Sequence, residues 1–542
     1  MTINESKIKR DELLQKIEEL RAAVAQLEQD GQTASLYTSL SDLEKELMGK
    51  KYGLVYERHR EEIDDILDTH VPIPAAEPGL SIDRGGPVNF IIEGDNLASL
   101  QMLLRTHREK IDIIYIDPPY NRGKRDFIYD DDYIETTDSF RHSKWLSFME
   151  RRLRMAKHLL APHGTIFMSC DDNEQAALRM LCDEIFQERN FEGDIHWRRR
   201  HNQPNDKTKL IGLVAEHILV YARDSEKLKA FGVGKVGLTG KFSNPDNDPK
   251  GPWATNPWKA AKGRGGVTYT IVTPTGRKLT ETWYGTYDTF QQYLADGRVH
   301  WTSGGKGIPR IKIYQSEALE QGQCATNWWP NDEVGSNQEA TDELKGLFDG
   351  TAPFENPKPT AIVKTIVQLG CIKKDALVLD FFAGSGTTAH AVLALNEEDG
   401  GGRRFILCTD NQNDLCRSVT LERVRRVLEA DDLKASVKYI RMDYLQNAGR
   451  LYYEYADGLL QSVGQMIELE NGVDFTKQRS LALALSDEEL EGLLADAERF
   501  AACRVLYLGH DVLMSGPQQA AILQREIEVR MVPDYYYKGL EG

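Results

Sequence analysis

The chain has little of what marks several common classes of protein. Its seven cysteines, at 170, 182, 324, 371, 408, 416 and 503, form no CxxC pair and have no companion histidine spacing, which argues against both a zinc site and a disulfide framework. They read as reduced, mostly buried thiols. No apolar run reaches about 18 residues and the N-terminus lacks a signal-like apolar core, so neither membrane insertion nor export is expected and a cytoplasmic location is the default. No repeat or low-complexity tract is visible. Net positive charge is also lacking: 84 acidic residues outnumber 67 Lys and Arg, and a formal charge of −17 over 542 residues argues against a protein that coats nucleic acid, because phosphate contacts need clustered Lys and Arg.

One segment departs from that acidity. "HWRRRHNQPNDKTK", residues 196 to 209, holds Arg198, Arg199, Arg200, Lys207 and Lys209, with Lys259, Lys262, Arg264, Arg277 and Lys278 further on. Taken alone, these residues fit solvated loops as well as a phosphate track.

At this length the chain exceeds one typical core, so a large catalytic domain with insertions and smaller flanking units is expected. Leu13, Ile17, Leu20, Val24 and Leu27 repeat at 4-3-4-3 spacing, and Leu36, Leu40, Leu43 and Leu47 take it up again after a break. That is the seam of a short coiled coil, closed as a hairpin or against another chain, and fewer than about three heptads in each helix favours the hairpin. From residue 88, strands such as "VNFIIEGD", "IDIIYIDPPY" and "GTIFMSCDD" alternate with helices, which predicts a parallel sheet covered by helices. Between residues 221 and 354 the alternation dissolves into Gly, Pro, Asn and Trp, the mark of an insert, and then resumes.

Two constellations carry chemistry. In "VLDFFAGSGTTAHAV", Asp380 ends a strand, Gly384 and Gly386 flank Ser385, and a helix follows; glycines let backbone approach a ligand, and the helix N-terminus offers amides to its polar end. Asp410, ending the next strand, is placed to hold ribose hydroxyls. The loop reads as a nucleoside-cofactor site. The third glycine of a dinucleotide fingerprint is missing and so is the GK[ST] of a phosphate loop, so S-adenosylmethionine fits better than NAD. In the second constellation, Asp117-Pro118-Pro119-Tyr120, the prolines forbid helix and withhold two amide donors, leaving carbonyls expected to be free to accept hydrogen bonds. Beside them stand a carboxylate and a flat ring. Accepting both hydrogens of a ring-conjugated amino group localises its lone pair and makes it a nucleophile. In isolation such a tetrapeptide is more often a strand-ending turn with an incidental acid.

With both constellations present, the chain resembles exocyclic-amino DNA methyltransferases of the β arrangement, and within them the Mod subunits of type III restriction-modification systems and their solitary relatives. "IIEGDNLASL", "IYIDPPYNRGKRDFIYDDDY", "GTIFMSCDDNEQAALRMLCDEIF", "EHILVYAR", "ENPKPTAIV" and the glycine loop follow in family order between residues 50 and 430. The resemblance implies an α/β fold with a doubly wound, mostly parallel sheet. Together with the heptads at the start and two further strands, "CRVLYLGHDVLM" and "EIEVRMVPDYYY", around a helix near the end, the expected organisation is a helical hairpin over 1–70, a catalytic part over 71–224, a target-recognition insert over 225–350, a cofactor-binding part over 351–435 and a C-terminal α/β interaction domain over 436–542. The resemblance implies that Asp117, Pro118, Pro119 and Tyr120 hold a flipped base, that Asp380, Phe382, Ala383, Gly384, Ser385, Gly386 and Thr387 hold the methionine part of S-adenosyl-L-methionine, and that Asp410 holds the ribose. Asp95 is expected at the cofactor adenine, with a helix N-cap as the equal alternative, and Lys358 at the helix flanking the methionine tail. Arg198, Arg199, Arg200, Lys207 and Lys209 are expected on DNA phosphates.

The expected reaction is metal-free, in-line methyl transfer to adenine N6 in double-stranded DNA, with cytosine N4 as the runner-up. Cytosine C5 chemistry is disfavoured because no Pro-Cys dipeptide is present. The expected setting is the modification subunit of a restriction-modification or phage-defence system, or a solitary relative. The expected partners are a second copy of the chain and a helicase-nuclease subunit. Two rivals remain: a DNA-recognition subunit of a larger defence complex and a NAD-dependent oxidoreductase.

Overall fold

The computed structural model describes residues 5–25, 36–37, 39–41, 43–44, 56–123, 128–129, 132–133, 140–203, 207–208, 210–237 and 241–537. Leu27, Leu47 and Lys209 lie outside the described residues. Two units separate, residues 1–56 and 57–542. In the first, the helix Glu5–Val24 and helical residues between 36 and 44 bring Ile17, Val24 and Leu40 into one cluster, with Arg21 paired to Glu44 at 2.7 Å. Leu13, Leu20, Leu36 and Leu43 of the same heptads stay exposed.

The second unit is built on a sheet of ten strands among the described residues, numbered here along the chain: β1 His70–Ala76, β2 Val88–Glu93, β3 Ile111–Ile116, β4 Leu160–Cys170, β5 Phe191–Arg198, β6 Ala215–Ala222, β7 Trp328–Trp329, β8 Leu377–Asp380, β9 Arg404–Thr409 and β10 Ser436–Gln446. Their order is β1-β10-β2-β9-β8-β3-β4-β6-β5-β7. The six strands from β10 to β4 are all parallel, while β1 and β6 run antiparallel to their neighbours. The fold is α/β. A strand covered on both faces must be apolar throughout, and β3 (IDIIYI) is buried at every position. Its one acid, Asp112, is satisfied by Lys373, by His163 and by the backbone amide of Leu377.

Helices fix the strand ends. The helix Thr360–Gly370 lays Ile362, Val363, Ile366 and Val367 on the sheet, each side chain contributing about 1.5–3 kcal/mol. The helix Thr387–Asp399 packs against it and ends at Gly400 in the left-handed conformation (φ 66°), which glycine adopts without a Cβ clash. From β3 the chain winds to β4, and from β8 it winds the other way to β9. The junction between β8 and β3 is therefore where the winding reverses, the place where open α/β sheets bind ligands.

Within the insert, the strands Trp253–Pro257, Val299–Trp301 and Pro309–Tyr314 form one small antiparallel sheet, and Val267–Val272 pairs with Lys278–Trp283 in a hairpin. Trp258, Trp283 and Phe290 centre their core. Beyond β10, the strands Leu481–Ala484, Val505–Gly509 and Glu528–Val532 make a separate parallel sheet with its own core of Ala482, Leu490, Leu506, Leu508 and Ile522.

Candidate active site

Leu379 of β8 lies beside Ile114 of β3, so Asp380 and Asp117 leave the carboxyl ends of neighbouring parallel strands. Both line a cavity of about 480 Å³, with Pro119, Lys358, Phe382, Ala383, Gly384, Ser385, Thr387 and Asp410. A second cavity, about 330 Å³, shares Pro119, Phe382 and Asp410 and adds Asp95 and Phe148. A slightly larger cavity of about 550 Å³ sits by β10 at the far side of the sheet. It contains none of the motif residues, so chemistry rather than size places the site.

The glycine loop is shaped by its backbone. Gly384 and Gly386 have φ of 47° and 77°, and a Cβ on either would meet the Phe354 ring at 3.1 Å or the Thr420 carbonyl at 3.2 Å. The Thr420 hydroxyl donates to the Gly384 carbonyl at 2.6 Å. Arg423, fully buried, donates to the hydroxyls of Ser385 (3.2 Å) and Thr387 (2.9 Å) and to Glu343 (2.9 Å). Burial opposes the charge on Glu343, but His390, Arg423 and Thr360 outweigh it and draw its carboxyl down to about 2. Ser385 and Thr387 thus hold the loop in shape as well as lining the cavity.

Asp380 accepts from the Thr388 hydroxyl at 2.5 Å and the Phe382 amide at 3.0 Å. Burial disfavours its charge more than these two donors favour it, and its carboxyl is pushed up to about 7. Asp95 caps the helix Asn96–Thr106 through the amides of Leu97 and Ala98, at 2.7 and 3.1 Å, while also lining the second cavity. The N-cap and the cavity wall, alternatives in the sequence, coexist. Asp410 is exposed, accepts from the Gln412 amide at 3.1 Å and lines both cavities.

The tetrapeptide end is a network of charges. Lys358 Nζ donates to both Asp117 oxygens at 2.6 Å and to the Tyr120 hydroxyl at 2.8 Å, and lies 3.6 Å from Glu216. The Tyr120 hydroxyl donates to Asp117 at 2.6 Å, and lies 3.3 Å from Glu216. Arg199 completes the chain, reaching Glu216 at 2.5 Å. Burial pushes the Tyr120 hydroxyl well up, with Asp117 adding to it. Burial also opposes the charges on Lys358 and Glu216, yet Asp117 holds Lys358 above its ordinary value, and Lys358 with Arg199 holds Glu216 below its own.

Several residues sit differently from the sequence reading. Lys358, expected at the methionine tail, points its ammonium at Asp117. Arg199, expected on phosphate, is turned inward to Glu216, and Arg198 curls onto the carbonyls of Arg200 and His201. Arg200 and Lys207 are exposed. The Pro119 carbonyl already accepts one bond, from Trp145 Nε1 at 2.7 Å, which leaves it one lone pair; Pro119 lines both cavities, while Pro118 is buried and lines neither. Glu216 was missed. Its signal is a lone acid in the largely apolar run "AEHILVYA", which a buried strand carries only when the acid is paired.

The sequence model of the DNA methylase family N6_N4_Mtase matches residues 111–421, more than half of the chain. Among curated relatives, the chain is 40% identical over 367 residues to the type III restriction-modification enzyme StyLTI Mod subunit of Salmonella typhimurium, covering 63% of this chain and 55% of that one. It is 33% identical to the EcoPI Mod subunit of Escherichia phage P1, over 59% of this chain and 57% of that one. It is also 32% identical to the type II methyltransferase M.KpnI of Klebsiella pneumoniae, over 59% of this chain and 79% of that one. The chain thus spans little more than half the length of the two Mod subunits it matches. On the family match, covering both strand-end acids and the glycine loop, the chain belongs to the N6_N4_Mtase family of DNA methylases.

Proposed function

We propose that the chain transfers a methyl group from S-adenosyl-L-methionine to adenine N6 in duplex DNA. The observation that carries this reading is the pair Asp117 and Asp380, set on adjacent strand ends and opening into one cavity. The residues fit the cofactor. A buried carboxyl pushed up to about 7 is suited to an incoming ammonium, the glycine loop admits a chain close to backbone, and Asp410 at the end of β9 suits ribose hydroxyls. When bound, the cofactor supplies an electrophilic methyl.

The chain's own residues prepare the acceptor. The Tyr120 ring is buried beneath Arg122 and Lys358 and would receive a base taken out of the stack once these two cations move aside, while Asp117 with a proline carbonyl would accept the two N6 hydrogens, localising the nitrogen lone pair toward the methyl. The Asp117 carboxylate is then in reach of the proton that N6 sheds after transfer. Lys358 occupies both Asp117 oxygens in this structure, so a base entering must take one of those bonds. Glu216, 3.6 Å from Lys358 Nζ, provides the charge that keeps the ammonium in place as it gives way.

The insert, with its small sheet, hairpin and exposed Lys262 and Arg264, serves as the reader of the target sequence. The setting is that of a modification subunit, as the names of the Mod relatives suggest, acting with a second copy and with a helicase-nuclease partner. Labelled methyl from S-adenosylmethionine, followed by nucleoside analysis and mapping of the methylated position, tests this reading. Label in N6-methyladenosine is expected; label on cytosine N4 would replace adenine as the substrate, and no label on DNA would overturn the proposal.

A further inference from the structure

The connection from β5 to β6 turns three aliphatic side chains to solvent within four residues. Leu210 is 99% exposed, Ile211 70% and Leu213 48%. Single exposed aliphatics are ordinary, but a contiguous group marks a contact surface. The loop that carries them is anchored at its base. The Arg199 amide donates to the Val214 carbonyl at 3.0 Å, the Asn337 amide to the Arg199 carbonyl at 3.0 Å, and His201 meets Asn331 at 2.6 Å.

That base touches the site. Arg199 pairs with Glu216 at 2.5 Å, and Glu216 lies 3.3 Å from the Tyr120 hydroxyl and 3.6 Å from Lys358. The aliphatic side chains therefore lie within a few residues of Glu216, beside the ring proposed to receive the flipped base. Their flanks are basic: between His196 and Ala215 the sequence has three arginines and two lysines against one aspartate, in a chain of net charge −17. Exposed aliphatic side chains within a basic stretch of sequence match a duplex, whose phosphates lie outside its stacked bases.

We propose that this loop is a wedge for the DNA stack, with Leu210 and Ile211 entering the duplex at the position the target base vacates. The inference rests on the methyltransferase reading and adds to it the device that keeps the base out. Taking a base out of the stack forfeits stacking, and aliphatic side chains inserted between base steps replace part of what is lost. Arg200 and Lys207 would hold the flanking phosphates.

The test compares wild type with the Leu210→Ala/Ile211→Ala double variant on two duplexes built around the mapped target, one intact and one lacking the base opposite the target, where flipping is easier. The expected result is a loss of about tenfold or more on the intact duplex that shrinks to about twofold or less on the abasic one, with an unchanged melting temperature, since both side chains lie outside the core. Leu210→Met should retain activity. An equal loss on both duplexes, or no loss on either, would overturn the wedge. A change in oligomeric state in the double variant would overturn it in favour of a protein contact. A wild-type chain that methylates no duplex sinks the underlying reading, whereas an active wild type with an unaffected variant sinks the wedge alone.

Discussion

Asp380 and Asp117 are the same side chain at the carboxyl ends of neighbouring strands, yet their surroundings have opposite character. Asp380 is buried with two neutral donors, the Thr388 hydroxyl and the Phe382 amide, and is pushed up to about 7. Asp117 is partly exposed and already holds a cation, Lys358, on both oxygens. A carboxyl short of compensating charge gains from an arriving ammonium; one that already has a cation gains little from a second and can still accept a neutral N–H. Under the proposed reading, one sheet edge would present a carboxylate for the charged cofactor and another for the neutral amino group of a base. This difference gives a physical ground for an assignment that motif resemblance made by position alone.

The largest effects should come from breaking the Asp117 side. Asp117→Ala is expected to lower methyl transfer by about a thousandfold or more, the loss seen when a group aimed at the reacting atom is removed, while calorimetry shows cofactor binding intact. Loss of both together would mean that the two acids do not divide the ligands as described. Lys358→Met leaves Asp117 and Glu216 facing each other without their cation, and urea unfolding should show destabilisation of about 3–5 kcal/mol. Adding Glu216→Gln should return part of it; if the single variant were as stable as wild type, the ion pairs around Tyr120 would not form in solution. On the other side, Asp380→Asn should weaken cofactor binding by about thirtyfold, near the lower end for removing one partner of a buried charge pair. The same variant should melt higher at pH 8 than wild type, because the amide has no buried charge to desolvate.

How far the sequence exposed this contrast follows from what each residue depends on. Asp117 and Asp380 were legible because each ends an apolar run, and an acid at a strand terminus next to Pro-Pro or Gly-x-Gly is a local pattern. The alternation of strands and helices likewise exposed the parallel sheet. The ion pairs of Lys358 and Arg199 are not legible in the sequence because they are set by tertiary proximity: Lys358 reaches Asp117 across 241 positions of sequence, and no spacing rule encodes that. Glu216 was overlooked for the same reason, its partners lying on three other segments. Trp145 shows a finer failure. That the prolines lack donors is readable, but that one of their carbonyls is already shared with an indole 26 residues away is not.

The smallest effect is also the one that separates the two acids most directly. With its carboxyl near 7 in the absence of cofactor, Asp380 must ionise to receive an ammonium, so cofactor affinity should fall as the pH drops below 7. Between pH 7.5 and 5.5 the loss should be about twentyfold, approaching tenfold per unit at the acid end, as read by calorimetry at each pH. Folding responds in the other direction. A carboxyl whose folded value is raised contributes fully below its unfolded value of about 4 and loses that contribution as the pH climbs toward 7, so the cofactor-free chain should lose stability across the range in which it gains affinity. Asp380→Asn should flatten both profiles, whereas Asp117→Ala should leave the affinity profile with its slope. A profile that Asp117→Ala flattens and Asp380→Asn does not would assign the ammonium to the other strand end.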